Sequence, residues 1–159
     1  PAPRLGYGED THRLVAGRPL VLGGVTIPFH LGLLGHSDAD ALAHAAMDAM
    51  LGACALGDIG KLFPDTDPQY AGICSLTLLT QVLRRTLAQG YALSNLDATI
   101  VAQQPKLAPH IPAMRAKLAA AMACGQERIS IKATTPEGCG PEGALESITV
   151  RCVCSMEAI

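Results

Sequence analysis

LGHSDADALAHAAMDAMLGACAL, residues 34 to 56, decides how this chain reads. Ser37 with Asp40 three residues on predicts a helix start. A side-chain oxygen caps free backbone N–H groups there, and the acid sits in the first turn, where the helix dipole favours it. The helix is expected to run to about Leu56. Along it Asp40, His44 and Asp48 recur every four residues and so share one face, while Leu42, Ala46, Met47, Met50 and Leu51 are available to a core. A polar seam thus crosses an apolar helix. His36 stands just ahead of the cap, where free N–H groups suit an anion. Taken alone, a histidine on such a helix is more often a hydrogen-bonded core residue than a ligand, so the rest of the chain must decide.

Upstream, residues 4 to 8 read as a short first strand. Gly6 and Gly8 thin its end so that the backbone can turn or approach something closely. Asp10-Thr11-His12 follows; if the backbone stays extended, Asp10 and His12 point to one side and suit two ligands of one metal. An exposed loop pair is the plainer reading of those three residues alone. Pro19 to Pro28 reads as a hairpin, LVL and VTI, with Gly23-Gly24 as its turn. His30 lies in a loop without evident partners.

Downstream, Gly57 stops the helical pattern. The segment GDIGKLFPDTDP, residues 57 to 68, has neither helical nor strand periodicity, and its glycines, prolines and aspartates describe a shaped loop. Phe63 would anchor it. Ser75 to Gln89 is an amphipathic helix stopped by Gly90, with Arg84 and Arg85 as its solvated face. Asn95 to Ala102 is a buried strand that leads into Gln103-Gln104-Pro105-Lys106-Leu107, a non-helical bend with free amides and a lysine. Pro109 to Cys124 is a third helix, Ile129 to Ala133 a strand, and Ser147 to Ala158 a last strand with one buried face. Between the last two lies Lys132-Ala133-Thr134-Thr135-Pro136-Glu137. Hydroxyls, a lysine and a carboxylate at a strand end match what a phosphate with a divalent metal needs, although a turn uses the same residues.

The chain of 159 residues reads as a single domain over 1–159, long enough to bury a core without disulfides or a structural metal. Hydrophobic residues make up 49% and charged residues only 16%, which suggests that apolar surface is buried against other copies. A net charge of −2 and 3% aromatics offer neither a nucleic-acid nor a membrane surface. No apolar run reaches the about 18 residues that span a bilayer. The start PAPRLGYGED lacks a secretory signal, so the cytoplasm is expected, or an organelle matrix if a leader was trimmed. The six cysteines show no CxxC spacing; Cys54, Cys124, Cys152 and Cys154 read as reduced core residues.

Together, Asp10, His12 and His44 offer two nitrogens and one oxygen for zinc. A structural site would have four ligands; three leave a position for a substrate oxygen or water. Glu137 could serve a separate magnesium held largely by phosphates. His36, Ser37, Lys132, Thr134 and Thr135 are donors for phosphate oxygens. Two metals and such donors describe phosphoryl transfer, in which catalysis is mainly positioning and charge neutralisation.

The motifs GYGEDTH at 6 to 12, GHSDAD at 35 to 40, HAAMDAMLG at 44 to 52, GDIGKLFPDTD at 57 to 67, AQQPK at 102 to 106 and KATTPE at 132 to 137 stand in an order that resembles the 2-C-methyl-D-erythritol 2,4-cyclodiphosphate synthase family. They span nearly the whole chain. The resemblance implies conversion of 4-diphosphocytidyl-2-C-methyl-D-erythritol 2-phosphate to the cyclic 2,4-diphosphate with release of CMP, in the non-mevalonate isoprenoid pathway. The substrate's own 2-phosphate attacks the β-phosphorus, consistent with the lack of a Ser–His–acid or reactive-cysteine arrangement. It implies an α/β (α+β) subunit with a mixed four-to-five-stranded sheet and helices on one face. It further implies a homotrimer with its sheets around a central axis and active sites between subunits.

Carried over to this chain, the resemblance places zinc, one per subunit, on Asp10, His12 and His44, and magnesium or manganese on Glu137. His36 and Thr135 are the expected catalytic pair, stabilising the transition state, with Ser37 beside His36. Asp58, Ile59 and Gly60 would hold the erythritol part, and Phe63, Pro64, Asp65, Thr66 and Asp67 would close around it. Ala102, Gln103, Gln104, Pro105, Lys106, Leu107 and Ala108 would form the cytidine pocket. Lys132, Thr134 and Pro136 complete the expected substrate contacts. Asp40 and Asp48, each one turn from His44, are expected either to orient its ring or to be plain polar helix residues. Two departures concern the trimer axis. Glu9 stands where many members have phenylalanine, and Gly140 to Ser147 lacks the phenylalanine and arginine of the family's GFTGRGEG. Both would weaken binding of isoprenoid diphosphates on that axis. The rival readings are a zinc hydrolase, with Asp65 as base, and a non-catalytic trimeric binder of metal or nucleotide.

Overall fold

Gly6 and Gly8 set the spacing between the sheet and its central helix. A Cβ on Gly6 would lie 1.8 Å from the Ala49 carbonyl oxygen, and one on Gly8 would lie 2.0 Å from that of Ala45. Bare backbone at both positions lets the helix lie directly on the strand. In the computed structural model, which describes residues 2–159, that strand is β1 (Arg4–Ala16). It is followed by the hairpin β2 (Leu20–Leu22) and β3 (Val25–Ile27), β4 (Leu31–Leu33), and helix α1 (Ala41–Ala53). Then come the short α2 (Ile59–Leu62), α3 (Ser75–Ala88), β5 (Tyr91–Val101), α4 (Ile111–Ala121), β6 (Ile129–Thr134), the short α5 (Gly140–Gly143) and β7 (Ser147–Ala158).

Five strands form one sheet in the order β4-β1-β7-β5-β6, and β2 and β3 pair separately. Only β5 and β6 run parallel; a parallel neighbour needs a long crossover, and α4 provides it. The sheet is therefore mixed, and α1, α3 and α4 pack on one face. Leu42, Met47, Met50 and Leu51 of α1 are fully buried with Leu96, Ile100, Ile148 and Val150 of the sheet. The other face is open in this chain: Leu5, Tyr7 and Val153 are 80%, 56% and 50% exposed. No helix among the described residues is long and apolar enough to cross a membrane.

Several boundaries differ from those expected, for local reasons. β1 does not stop at residue 8 but continues to Ala16, because β7 and then β4 supply ladder partners that its polar residues do not advertise. Helix α1 is capped by Asp40, whose side chain accepts from the Ala43 N–H, and not by Ser37. It ends at Ala53, since Ala55 takes a left-handed φ of 56°. Residues 108 to 110 form a 3-10 turn before α4, which ends at Ala121. β5 begins four residues early, at Tyr91, paired with Ala158. The hairpin forms as expected, with Gly23 and Gly24 at φ 61° and 74°.

All six cysteines are free, and Cys54, Cys152 and Cys154 are buried, whereas Cys124 is only half-buried. Burial pushes all three buried thiols up, Cys154 to about 11. The thiolate is the reactive form. A thiol count with Ellman's reagent is therefore expected to show these three reacting only after denaturant is added. Prompt reaction of all six would contradict this packing.

Candidate active site

The glycines that seat α1 on β1 also bring the polar residues together. Gly6, Gly8, Asp10 and His12 alternate onto the same face of β1, and where the glycines end, Asp10 and His12 meet the first turn of α1 at His44. The Asp10 Oδ2 lies 2.7 Å from His12 Nε2 and 3.1 Å from His44 Nδ1, and the two ring nitrogens are 3.3 Å apart. Ligand atoms around one tetrahedral ion with bonds near 2.0–2.1 Å stand about 3.3 Å from each other. The three atoms therefore fit one metal ion, and the group Asp10, His12, His44 is partly to fully buried.

Hydrogen bonds on the far side of each ring leave the inward nitrogens free to bind. The His12 Nδ1–H donates to the Leu34 carbonyl at 2.8 Å, leaving Nε2 with a lone pair. Gly35 makes room for this: a Cβ there would sit 3.1 Å from the His12 ring. His44 Nε2 lies 2.9 Å from Ser75 Oγ and 3.2 Å from Ser37 Oγ. Burial raises the Asp10 carboxyl, but the adjacent His12 and His44 rings, which favour its charged form, outweigh it and bring it down to about 2. Burial lowers His12, but Asp10 and the Leu34 carbonyl outweigh that and raise it. Asp10 is thus a carboxylate at any working pH, as a ligand must be.

His12 and His44 of the triad line a cavity of about 480 Å³. His12, His36, Ser37 and His44 form one wall, and Ile59, Gly60, Phe63, Pro64 and Asp65 the other, joined by Leu34, Gly35, Tyr70 and Leu78. The His36 Nε2–H donates to the Asp67 carbonyl at 2.7 Å, so the loop holds this ring. Phe63 packs edge-on against Tyr70, ring centres 5.4 Å apart, which anchors the loop. Asp58 lies outside the wall, exposed, where it caps α2 through the Lys61 N–H. Thr66 is exposed as well, and the Asp67 side chain is taken up by Gln69.

A second cavity of about 320 Å³ is lined by residues 102 to 108 with Ala133, Thr134 and Thr135. It contains Ala102, Gln103, Gln104, Pro105, Lys106, Leu107 and Ala108 as one continuous bend, and Gln103 Oε1 accepts from the Gly138 N–H at 2.8 Å. Pro136 and Glu137 lie outside the lining. Glu137 is exposed at a left-handed φ of 56°. Lys132 is also outside: its Nζ is paired with Asp97 Oδ2 at 2.7 Å on the sheet.

The two cavities share no lining residue. The register runs Asp10–Val150–Ile100–Ala133, so the metal triad lies two to three strand spacings, about 10–14 Å, from the ends of β5 and β6 that lead into the second cavity. Within one chain, His36 and Thr135 are not brought together.

Neither Asp40 nor Asp48 touches the His44 ring. Asp40 accepts from the N–H groups of Gly23, Gly24 and Ala43 at 2.9, 2.7 and 3.0 Å and so pins the hairpin to α1. Asp48 accepts from the Ile59 N–H at 2.9 Å and fixes the start of the loop. The ring is held instead by Ser75, with Asp38 behind it. Nothing in the local pattern marks Ser75, which stands at the first position of α3.

Residues 3–157 match the YgbB family. A curated relative from Geobacter sulfurreducens, named 2-C-methyl-D-erythritol 2,4-cyclodiphosphate synthase, is 58% identical over 97% of this chain and 98% of its own length. Among solved structures, the bifunctional IspDF of Campylobacter jejuni is similar with a TM-score of 0.96 and 39% identity. That likeness covers 99% of this chain and 43% of the other, so this chain spans less than half of it. A CDP-bound form of 2C-methyl-D-erythritol-2,4-cyclodiphosphate synthase is similar with a TM-score of 0.89 and 43% identity, over 97% of this chain and 100% of that one.

Proposed function

Because this chain belongs to the YgbB family, whose relatives are named as synthases of 2-C-methyl-D-erythritol 2,4-cyclodiphosphate, we infer that it makes that compound by internal phosphoryl transfer. The substrate is 4-diphosphocytidyl-2-C-methyl-D-erythritol 2-phosphate. An oxygen of its 2-phosphate forms a bond to the β-phosphorus, the bond from that phosphorus to the oxygen bridging the α-phosphate breaks, and CMP leaves. The observation that carries this reading is the convergence of Asp10, His12 and His44 on a space that could hold one metal ion, beside a cavity of about 480 Å³. The CDP-bound relative supports the cytidine part.

The work of the protein is to fold a flexible substrate so that its two phosphates meet in line. Zinc on Asp10, His12 and His44, with magnesium or manganese on Glu137, would supply positive charge to the phosphate oxygens. Ser37 stands on the cavity wall beside the triad as a donor to the phosphates, with His36 next to it on the same wall. Gly60, Ile59 and the Phe63 to Asp65 segment enclose the erythritol chain, with Asp58 and Thr66 at the mouth. The bend from Ala102 to Ala108 takes the cytidine, and Thr135, with Thr134, faces its phosphates. On this reading residues 1–159 form one domain of a metal-dependent, CMP-releasing lyase that acts in the cytoplasm.

The separation of the two cavities supports an active site shared between neighbours in a homotrimer, with the open, partly apolar sheet face turned to the axis. Complementation tests this. His44→Ala and Thr135→Ala chains, each inactive alone, are co-refolded in equal amounts. At random mixing, about a quarter of the shared sites combine an intact triad with an intact Thr135, so about a quarter of wild-type activity is expected. No recovery in verified mixed trimers would contradict a shared site.

A further inference from the structure

We propose that Asp38 and Ser75 are positioning residues that hold His44 as a metal ligand through its Nδ1; this rests on the metal site read above. Asp38 receives three donors. The Ser75 hydroxyl reaches its Oδ1 at 2.5 Å, the Asp40 N–H the same oxygen at 3.1 Å, and the Ser75 N–H its Oδ2 at 3.0 Å. A carboxylate only accepts, so the single hydroxyl proton of Ser75 is committed to Asp38. The Ser75 oxygen is then an acceptor toward His44 Nε2, 2.9 Å away, and His44 must carry its proton there. Its Nδ1 is left with a lone pair directed at the space between Asp10 and His12. Ser75 is fully buried, so water does not compete for this chain of bonds. Ser37 Oγ, at 3.2 Å, is the second acceptor for the same N–H, while itself accepting from the Ala39 N–H.

His12 and His44 thus use opposite ring nitrogens, each fixed by a different kind of acceptor: a backbone carbonyl for His12, and a carboxylate acting through a hydroxyl for His44. Ser75→Ala removes the nearer acceptor and leaves Ser37. Asp38→Asn keeps the size but has one accepting oxygen for three donors. Whichever way the amide turns, an N–H faces a donor, and the turn that faces Ser75 frees its hydroxyl to donate to Nε2. That would move the His44 proton to Nδ1, the metal nitrogen.

The test measures zinc affinity of the metal-stripped, folded protein by competition with a chromophoric chelator. The histidine-ring ¹H–¹⁵N spectrum of the zinc-loaded form is recorded in parallel. Both variants are expected to bind zinc about 10- to 100-fold more weakly, as outer partners of metal-bound histidines commonly do. The wild type is expected to show a slowly exchanging His44 Nε2–H that is lost or shifted in Ser75→Ala. Wild-type affinity in both variants would overturn the proposal while leaving the metal site standing. A wild-type protein that binds no zinc would overturn both. If Ser75→Ala fails to fold, the isosteric Asp38→Asn carries the test.

Discussion

His44→Ala is expected to abolish turnover and to weaken zinc binding by about a hundredfold to a thousandfold, without unfolding the protein. Structural zinc sites of four ligands bind with about 10–16 kcal/mol, so one ligand contributes roughly 3 kcal/mol. The loss falls on the ligand whose Nδ1 lies 3.1 Å from Asp10 and 3.3 Å from His12; those two remain, but a pair of ligands does not define a metal position. Helix α1 should survive, because alanine is the best helix former and the deleted ring leaves Ser37 and Ser75 hydroxyls already 3.5 Å apart. Metal content per chain and a thermal melt check both parts. An inactive variant that still carries a full complement of zinc would contradict the assignment of His44.

Gly8→Ala is expected to be among the most damaging single methyl additions in the chain, lowering stability by about 3 kcal/mol or more. The new Cβ would stand 2.0 Å from the Ala45 carbonyl oxygen and 2.7 Å from the Ala49 nitrogen. Both are backbone atoms of α1, so no side-chain rotation relieves the clash and the helix must move off β1. That movement separates His44 from Asp10 and His12, so zinc affinity should fall along with stability. The expected observation is a lower denaturant midpoint with a weaker zinc affinity in the folded fraction. An unchanged midpoint would contradict the close seating of helix on strand. By contrast, a Cβ on Gly72 or Gly90 would meet nothing within 4 Å, and substitution there would disturb only the local turn.

These two residues also mark how much of the molecule its sequence discloses. Two glycines in a strand pattern signal close approach, and alternation places Asp10 and His12 on the same side. Local chemistry thus reveals the strand half of the site. Helical spacing reveals that Asp40, His44 and Asp48 share a face, but not what packs on that face. In the folded chain Asp40 meets the N–H groups of Gly23 and Gly24, and Asp48 that of Ile59, so only His44 is left for the metal. Ser75 reaches His44 from 31 residues away, through a helix start that looks like any other. Contacts of that kind follow from how α3 lies against α1 and have no local signature. The extension of β1 was hidden for the same reason: its polar second half is held by ladder partners on β7 and β4, distant in sequence. The division of the binding residues between two cavities is likewise a property of strand order, which places β7 between β1 and β5.

The central claim is that the substrate's own phosphate is the nucleophile and that the protein acts by holding it and the diphosphate together. A phosphorus NMR time course tests this, with purified protein, 4-diphosphocytidyl-2-C-methyl-D-erythritol 2-phosphate, zinc and magnesium in oxygen-18 water. The account predicts CMP and a cyclic diphosphate, neither of them carrying solvent oxygen. Linear products labelled with oxygen-18 would show a metal-activated water doing the chemistry, and no turnover by fully metal-loaded protein would show a binding protein; either result would contradict the account.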